Sequence, residues 1–368
     1  MNPRTLLEER KNRLLKAVSM ERPDRVPVVL EYAGFAAYVT GTPMADYVRT
    51  PARATRTMIE AFERVGEADA VNYGSFSPYG LSLLFGAKVR VPGVDLPADE
   101  SWQVVESELM TRADYDRIPA RGWPDFFEDY LAGRVFDDAE PAMLPWNQEG
   151  VDVPASWAEV GLPVLSGGDV TSPFELLCGG RSLERFFTDL VEVPEKVLAA
   201  MDAIVPHLSR GAVENALGRG TPAVWVGGWR SAPVMISPAM WERFVWPHFR
   251  RLVTEVVDAG LVALLHLDAD WSRELGRFRE FPKGKVIVAL DGDTDIFRAK
   301  EVIGDHCCLM GDVPAAMLAF GTPEEVYDYS RRLVTELGPE GFILQSGCDI
   351  PANAKLENVQ AMVAAARG

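Results

Sequence analysis

Short β-branched runs alternating with helical stretches predict an α/β chain folded as a TIM (β/α)8 barrel, since the alternation recurs eight times. The second sign is that polar residues and glycines follow six of these runs, and a barrel gathers its strand ends at one mouth. The third is an absence. No low-complexity run, internal repeat or Ser/Gly linker divides residues 1–368, so a single domain is expected.

A helix over Thr5–Val18 comes first, charged on one face, and is expected to cap the bottom of the barrel or to flank it. The eight strand runs are Val26–Glu31, Asp69–Tyr73, Pro163–Gly167, Ala223–Gly227, Leu261–His266, Val286–Ala289, Cys307–Met310 and Phe342–Gln345. A doubly wound sheet would show the same alternation. The first run is followed by Glu31-Tyr32-Ala33-Gly34-Phe35, not by a Gly-rich nucleotide loop, and this favours the barrel. Between the second and third strands, Arg90–Pro154 is rich in Pro, Asp and Trp and reads as a long insertion. The later helices have recognisable starts. Ser237-Pro238 opens one to about Ala259, Thr322-Pro323-Glu324-Glu325 one to about Leu337, and Asn353 precedes one to about Arg367.

Charge and composition exclude whole classes of partner. With 37 basic and 54 acidic residues the net charge is −17, a field that repels phosphate backbones and anionic membranes. No stretch approaches the ~20 uninterrupted apolar residues of a membrane span, and the first residues lack a signal-peptide pattern, so a cytoplasmic protein is expected. Cys178, Cys307, Cys308 and Cys348 are too few and too scattered for a disulfide framework and read as free thiols or metal ligands.

The strand ends supply the candidate chemistry. They are Gly167-Gly168-Asp169, Gly228-Trp229-Arg230, His266-Leu267-Asp268, Asp291-Gly292-Asp293, Gly311-Asp312 and Gly347-Cys348-Asp349. His266 and Asp268, two apart on one strand, leave on the same face about 6.5–7 Å apart along the chain, near enough to share an ion. With Cys348 they make an imidazole, a carboxylate and a thiolate, the donor set of a catalytic zinc whose fourth position stays open. A lone His is also commonly just hydrogen-bonded and a lone Cys a small buried hydrophobe, so spacing alone leaves both readings open. His306, beside Cys307 and Cys308, precedes strand seven and belongs to the bottom of the barrel, while His207 and His248 sit within helical stretches. Trp229 and Arg230, with Tyr73, Phe76 and Tyr79, offer an aromatic pocket with one cation, suited to a planar, partly anionic ligand; ordinary loop packing is the alternative. Neither a G-x-S-x-G elbow nor a P-loop is present, which removes the usual support for hydrolysis and phosphoryl transfer.

The C-terminal third carries a family resemblance. It runs from Leu264-Leu265-His266-Leu267-Asp268 through Met310-Gly311-Asp312-Val313-Pro314, Gly321-Thr322-Pro323-Glu324-Glu325-Val326 and Gly347-Cys348-Asp349-Ile350-Pro351-Ala352-Asn353-Ala354 to Leu356-Glu357-Asn358-Val359. These motifs resemble the uroporphyrinogen decarboxylase superfamily and, more narrowly, its zinc- and corrinoid-dependent methyltransferase branch. Arg22-Pro23-Asp24-Arg25-Val26-Pro27 and the segment from Ser237-Pro238 to Trp246-Pro247 fit as well, with Arg90–Pro154 the least covered.

The resemblance implies a TIM barrel that moves a methyl group to or from the cobalt of a corrinoid. Thiol-methylating members carry His-x-Cys where this chain has His266-Leu267-Asp268, and their remaining ligand is the cysteine of the turn at Cys348. Residue by residue, His266 and Cys348 carry over as zinc ligands, and Asp268 fills a ligand position with a different atom. A carboxylate in place of a thiolate donates less charge and leaves zinc a better Lewis acid toward oxygen. Similarity to the branch that demethylates aryl methyl ethers, in the stretch from Asp270-Trp271 to Pro282-Lys283-Gly284-Lys285, points the same way. The true decarboxylases match poorly. Val28–Ala37 lacks arginine where they carry an arginine-rich substrate loop, and Ser77 stands where their substrate-binding Asp is expected.

The expected reaction is therefore O-demethylation, in which zinc takes up charge on the leaving phenolate while cobalt(I) accepts the methyl group. Tyr73, Trp229 and Arg230 are the expected substrate contacts, and Glu31 or Asp291 completes the coordination or donates a proton. Because the chain lacks the Asp-x-His-x-x-Gly signature, the corrinoid is expected on a separate protein docked over the mouth; a homodimer is compatible with this. The alternatives are methyl transfer from the corrinoid to a thiol, which Asp268 disfavours, and a non-catalytic barrel that only binds its ligand.

Overall fold

Alternation of apolar side chains along the predicted runs gives each strand one face for the barrel lumen and one for the surrounding helices. The structure is a computed structural model that describes residues 2–136 and 150–368, so part of the predicted insertion lies outside the described residues. The barrel strands are β1 (Val29–Leu30), β2 (Ala70–Val71), β3 (Ser166–Thr171), β4 (Ala223–Gly228), β5 (Val262–Leu267), β6 (Val286–Leu290), β7 (Cys308–Val313) and β8 (Phe342–Ser346). Strands β3 to β8 form one parallel sheet in chain order, and β1 pairs in parallel with β2. Parallel bridges Val28 to Leu344 and Val71 to Val164 join the two sheets at both seams and complete the ring.

The two strand faces build two cores. Val29, Ala70, Leu165, Leu264, Ile287, Met310 and Ile343 fill the lumen, whereas Val224, Val226, Leu265, Val288, Leu309 and Leu344 pack outward against the helices. Helix α1 (Pro3–Val18) places Leu14, Ala17 and Val18 in the lumen cluster, so it caps the bottom of the barrel. Beside it Asp69 is fully buried and accepts hydrogen bonds from Arg13 and Arg25 and from the Val28 N–H.

Among its described residues the insertion holds helices, Arg112–Arg121 and Trp123–Tyr130 among them, and Gln103–Val104, which pairs antiparallel with Val89–Arg90 at its start. The helix predicted from Ser237 is two, Pro238–Phe244 and Trp246–Asp258, because Pro247 has no N–H to continue the first. The last helix begins at Leu356, later than expected, while Thr322 and Glu325 form the reciprocal capping box that their spacing predicts. No helix among the described residues is long and apolar enough to cross a membrane.

Candidate metal centre

His266 lies near the end of β5, where Leu264 faces the lumen and the period-2 register turns the imidazole inward as well. It is 4% exposed. Asp268 continues that register just beyond the strand, and Cys348 enters from the turn after β8. The Ser346 hydroxyl fixes that turn by donating to the Cys348 carbonyl at 2.6 Å. Gly347 has to be glycine, because a Cβ there would lie 2.4 Å from the Asp291 carbonyl of the neighbouring turn.

His266 Nε2 is 3.4 Å from Asp268 Oδ1 and 3.6 Å from Cys348 Sγ. All three ligand atoms lie within 4.8 Å of one another. A tetrahedral zinc with ordinary bond lengths separates its N and O ligands by about 3.4 Å and its N and S ligands by about 3.5 Å. The donor chemistry fits zinc, and the two distances from His266 Nε2 match those of a tetrahedral site. Among the described residues no other group of three His, Cys, Asp or Glu side chains converges in this way.

Burial opposes charge on His266, but Glu31, Asp268 and Cys348 outweigh it and raise its pKa well above the usual imidazole value. Burial also pushes the Cys348 thiol up, with His266 pulling the other way. Asp349, next to Cys348, is pushed up to about 7 by burial, with the Glu31 charge adding to the rise and the Tyr73 hydroxyl opposing it. That hydroxyl donates to Asp349 Oδ1 at 2.6 Å.

Polar and aromatic groups hold the imidazole from behind. Glu31 Oε1 stands 3.6 Å from His266 Nδ1, while its Oε2 accepts from Asn72 Nδ2 at 2.6 Å and Gln345 Nε2 at 2.8 Å. The Trp225 ring lies 5.2 Å from the imidazole at 32°, in a space left by Gly227, where a Cβ would meet the indole at 2.4 Å. Asn72, Gln345 and Trp225 are not among the predicted site residues, and Asp349 is predicted only as part of the Gly347-Cys348-Asp349 strand end, without a role. A polar side chain inside an otherwise apolar run, as at Gln345, is the one signal that could have pointed to them.

The other predicted residues are distributed more widely. Tyr73 joins the centre through Asp349, and its ring leads to Phe76 at 6.3 Å and on to Trp102, 4.3 Å from Phe76. Asp291 lies behind the Asp268 turn, where its oxygens accept from the Ala269 N–H at 2.7 Å and the Asp293 N–H at 2.9 Å. Ala269 has φ 66°, a left-handed conformation unusual for a residue with a Cβ, and Asp291 braces it. Trp229 and Arg230 line a cleft of about 660 Å³ with Glu106, Glu108 and Met235, and this cleft shares no lining residue with the metal group. The Arg230 guanidinium covers the Trp229 ring at 4.2 Å and faces Glu106 at 3.7 Å and Glu175 at 4.0 Å. His306, at the barrel bottom, uses Nε2 on the Phe281 carbonyl at 2.7 Å.

Comparison with known proteins places the fold. The chain is 32% identical to the uroporphyrinogen decarboxylase of Nocardia farcinica over 118 residues, which span 30% of this chain and 32% of that protein. It thus aligns with only about a third of that relative's length. With the uroporphyrinogen decarboxylase of Trichodesmium erythraeum it is 23% identical over 359 residues, 94% of this chain and 93% of that protein. A solved methyltransferase from Methanosarcina mazei superposes with TM-score 0.74 at 19% identity, covering 97% of this chain and 98% of that one, and shares the fold. The profile of the uroporphyrinogen decarboxylase (URO-D) family matches residues 9–368, and the chain belongs to that family.

Proposed function

We propose that this chain is a zinc-dependent methyltransferase that moves the methyl group of a methoxylated aromatic to the cobalt(I) of a corrinoid on a separate protein. The observation that carries this reading is the convergence of His266, Asp268 and Cys348 ligand atoms within 4.8 Å, with Asp268 Oδ1 and Cys348 Sγ each at a zinc-like distance from His266 Nε2. Zinc bound there supplies a Lewis acid for the ether oxygen that leaves as phenolate.

The chain's own residues do the positioning. Asp268 presents a hard oxygen where a second cysteine would donate more charge, which suits an oxygen leaving group. Asp291 holds the turn that carries Asp268 through the Ala269 N–H. The wall of Tyr73, Phe76 and Trp102, tied to the centre through Asp349, offers a planar ring its packing surface. Trp229 and Arg230 stand in the other cleft, where Glu106 and Glu175 already face the guanidinium; an anionic substituent there would compete with them.

The names of the curated relatives favour a second reading, decarboxylation of a porphyrinogen. A polycarboxylate calls for basic side chains. The charged groups around His266 are Glu31, Asp268 and Asp349, all of the wrong sign.

Asp268→Cys separates ether from thiol chemistry. It is expected to keep about one zinc per chain and to lose at least ~10-fold in transfer from methoxylated aromatics, because added thiolate charge weakens the Lewis acid. Metal analysis and the cobalt absorbance read the two effects separately. Undiminished ether activity in this variant would count against the proposal.

A further inference from the structure

Glu31 is a buried carboxylate, 4% exposed, and among the described residues its one ion-pair partner is His266. Such a group is costly unless it is hydrogen-bonded. Two amides supply those bonds to one oxygen, Asn72 from the end of β2 and Gln345 from β8. Both are essentially buried. Asn72 is held in turn by the Ser166 hydroxyl, which lies 2.9 Å from its carbonyl oxygen and 3.1 Å from its Oδ1. Three strand ends that meet only where the barrel closes thus aim the second oxygen, Oε1, at His266 Nδ1 across 3.6 Å. Among the described residues Nδ1 has no hydrogen-bond partner of its own.

A neutral imidazole that gives one nitrogen to a metal must carry its proton on the other. Nε2 is the nitrogen that faces Asp268 and Cys348, so the proton belongs on Nδ1, opposite Glu31. We infer that Glu31, aimed by Asn72 and Gln345, is a positioning residue that holds the Nδ1 proton of His266 and so reserves Nε2 for the metal. This rests on the zinc reading above and assigns to Glu31 a role other than the proton donor or ligand expected from the sequence.

The role makes the glutamine variant informative. In Glu31→Gln the amide oxygen must turn toward the Asn72 and Gln345 donors, which leaves its NH2 group facing Nδ1. Donor then meets donor, and the proton is driven to Nε2, the nitrogen the metal needs. A residue that merely packs the seam would change unfolding but not metal affinity.

The test uses the full chain. Zinc dissociation constants come from chelator competition for wild type, Glu31→Gln and Gln345→Leu, and the imidazole N–H of the zinc-loaded proteins is followed by 1H–15N NMR. Glu31→Gln is expected to bind zinc about 10–100-fold more weakly, the range for loss of a group that orients a ligand, and to lose the downfield, slowly exchanging Nδ1–H signal. Gln345→Leu keeps the carboxylate but loosens its aim; an intermediate loss of about threefold or more is expected. If Glu31→Gln does not fold, Gln345→Leu decides alone. Zinc affinity within twofold of wild type, with the Nδ1–H signal unmoved, overturns the role of Glu31 while leaving the zinc centre standing. A wild-type chain that binds no zinc overturns the metal reading itself.

Discussion

Replacing His266 or Cys348 by alanine is expected to reduce zinc from about one per chain to a trace and to lower methyl transfer by ~10³-fold or more, since an open site has only three protein ligands to lose. The same two groups set the pH dependence of binding. Without metal, the surrounding carboxylates raise the His266 pKa and burial raises that of Cys348, so both hold protons that zinc must displace. The metal-free protein binds more protons than the loaded one; zinc affinity therefore rises with pH and falls on acidification. Cys307→Ala is the matched control, because that thiol lies at the barrel bottom against the Phe278 carbonyl. Metal content by plasma emission reads all three variants. Equal zinc in wild type, His266→Ala and Cys348→Ala would remove the centre.

Asp69→Ala is expected to cost about 3 kcal/mol of folding stability, at the low end for a broken buried ion pair. Asp69 is fully buried and joins three pieces of chain. Arg13 of α1 and Arg25 both reach it at 2.6 Å, and the Val28 N–H donates to it at 2.9 Å. Alanine takes the carboxylate from Arg25, leaves Arg13 its pair with Asp24 only, and leaves one buried N–H without an acceptor. Arg13 and Arg25 retain side-chain exposures of 11% and 23%, which lets water recover part of the loss and sets the estimate low. Urea unfolding measures it. A change below about 1 kcal/mol would show that the cap of α1 on the barrel does not depend on this cluster.

Much of the barrel was legible because strand periodicity is a local property. The runs at Ala223–Gly227 and Leu261–His266 lie almost where β4 and β5 are. The runs at Val26–Glu31 and Asp69–Tyr73 shrink to two-residue ladders at the seam, since pairing there depends on how the ring closes, which one strand's pattern does not carry. Period-2 spacing likewise gave His266 and Asp268 a common face. The groups behind the imidazole were out of reach for the opposite reason. Asn72 and Gln345 meet Glu31 only through contacts between strands far apart in sequence. Arg230 and Asp291 follow strand ends, as the rule for barrel mouths requires, yet side-chain direction decides what they do. Arg230 turns to Glu106 and Glu175, and Asp291 spends its oxygens on backbone N–H groups.

The most direct test mixes the zinc-loaded chain with a separate corrinoid protein reduced to cobalt(I) and a methoxylated aromatic, and follows the cobalt absorbance while phenol is assayed. The predicted result is methyl-cobalt(III) and phenol formed one for one, abolished when zinc is removed and restored when it returns. Failure of every methoxylated aromatic to methylate the cobalt, together with discharge of methyl-cobalt by an added thiol, would contradict it and assign the chain the reverse transfer.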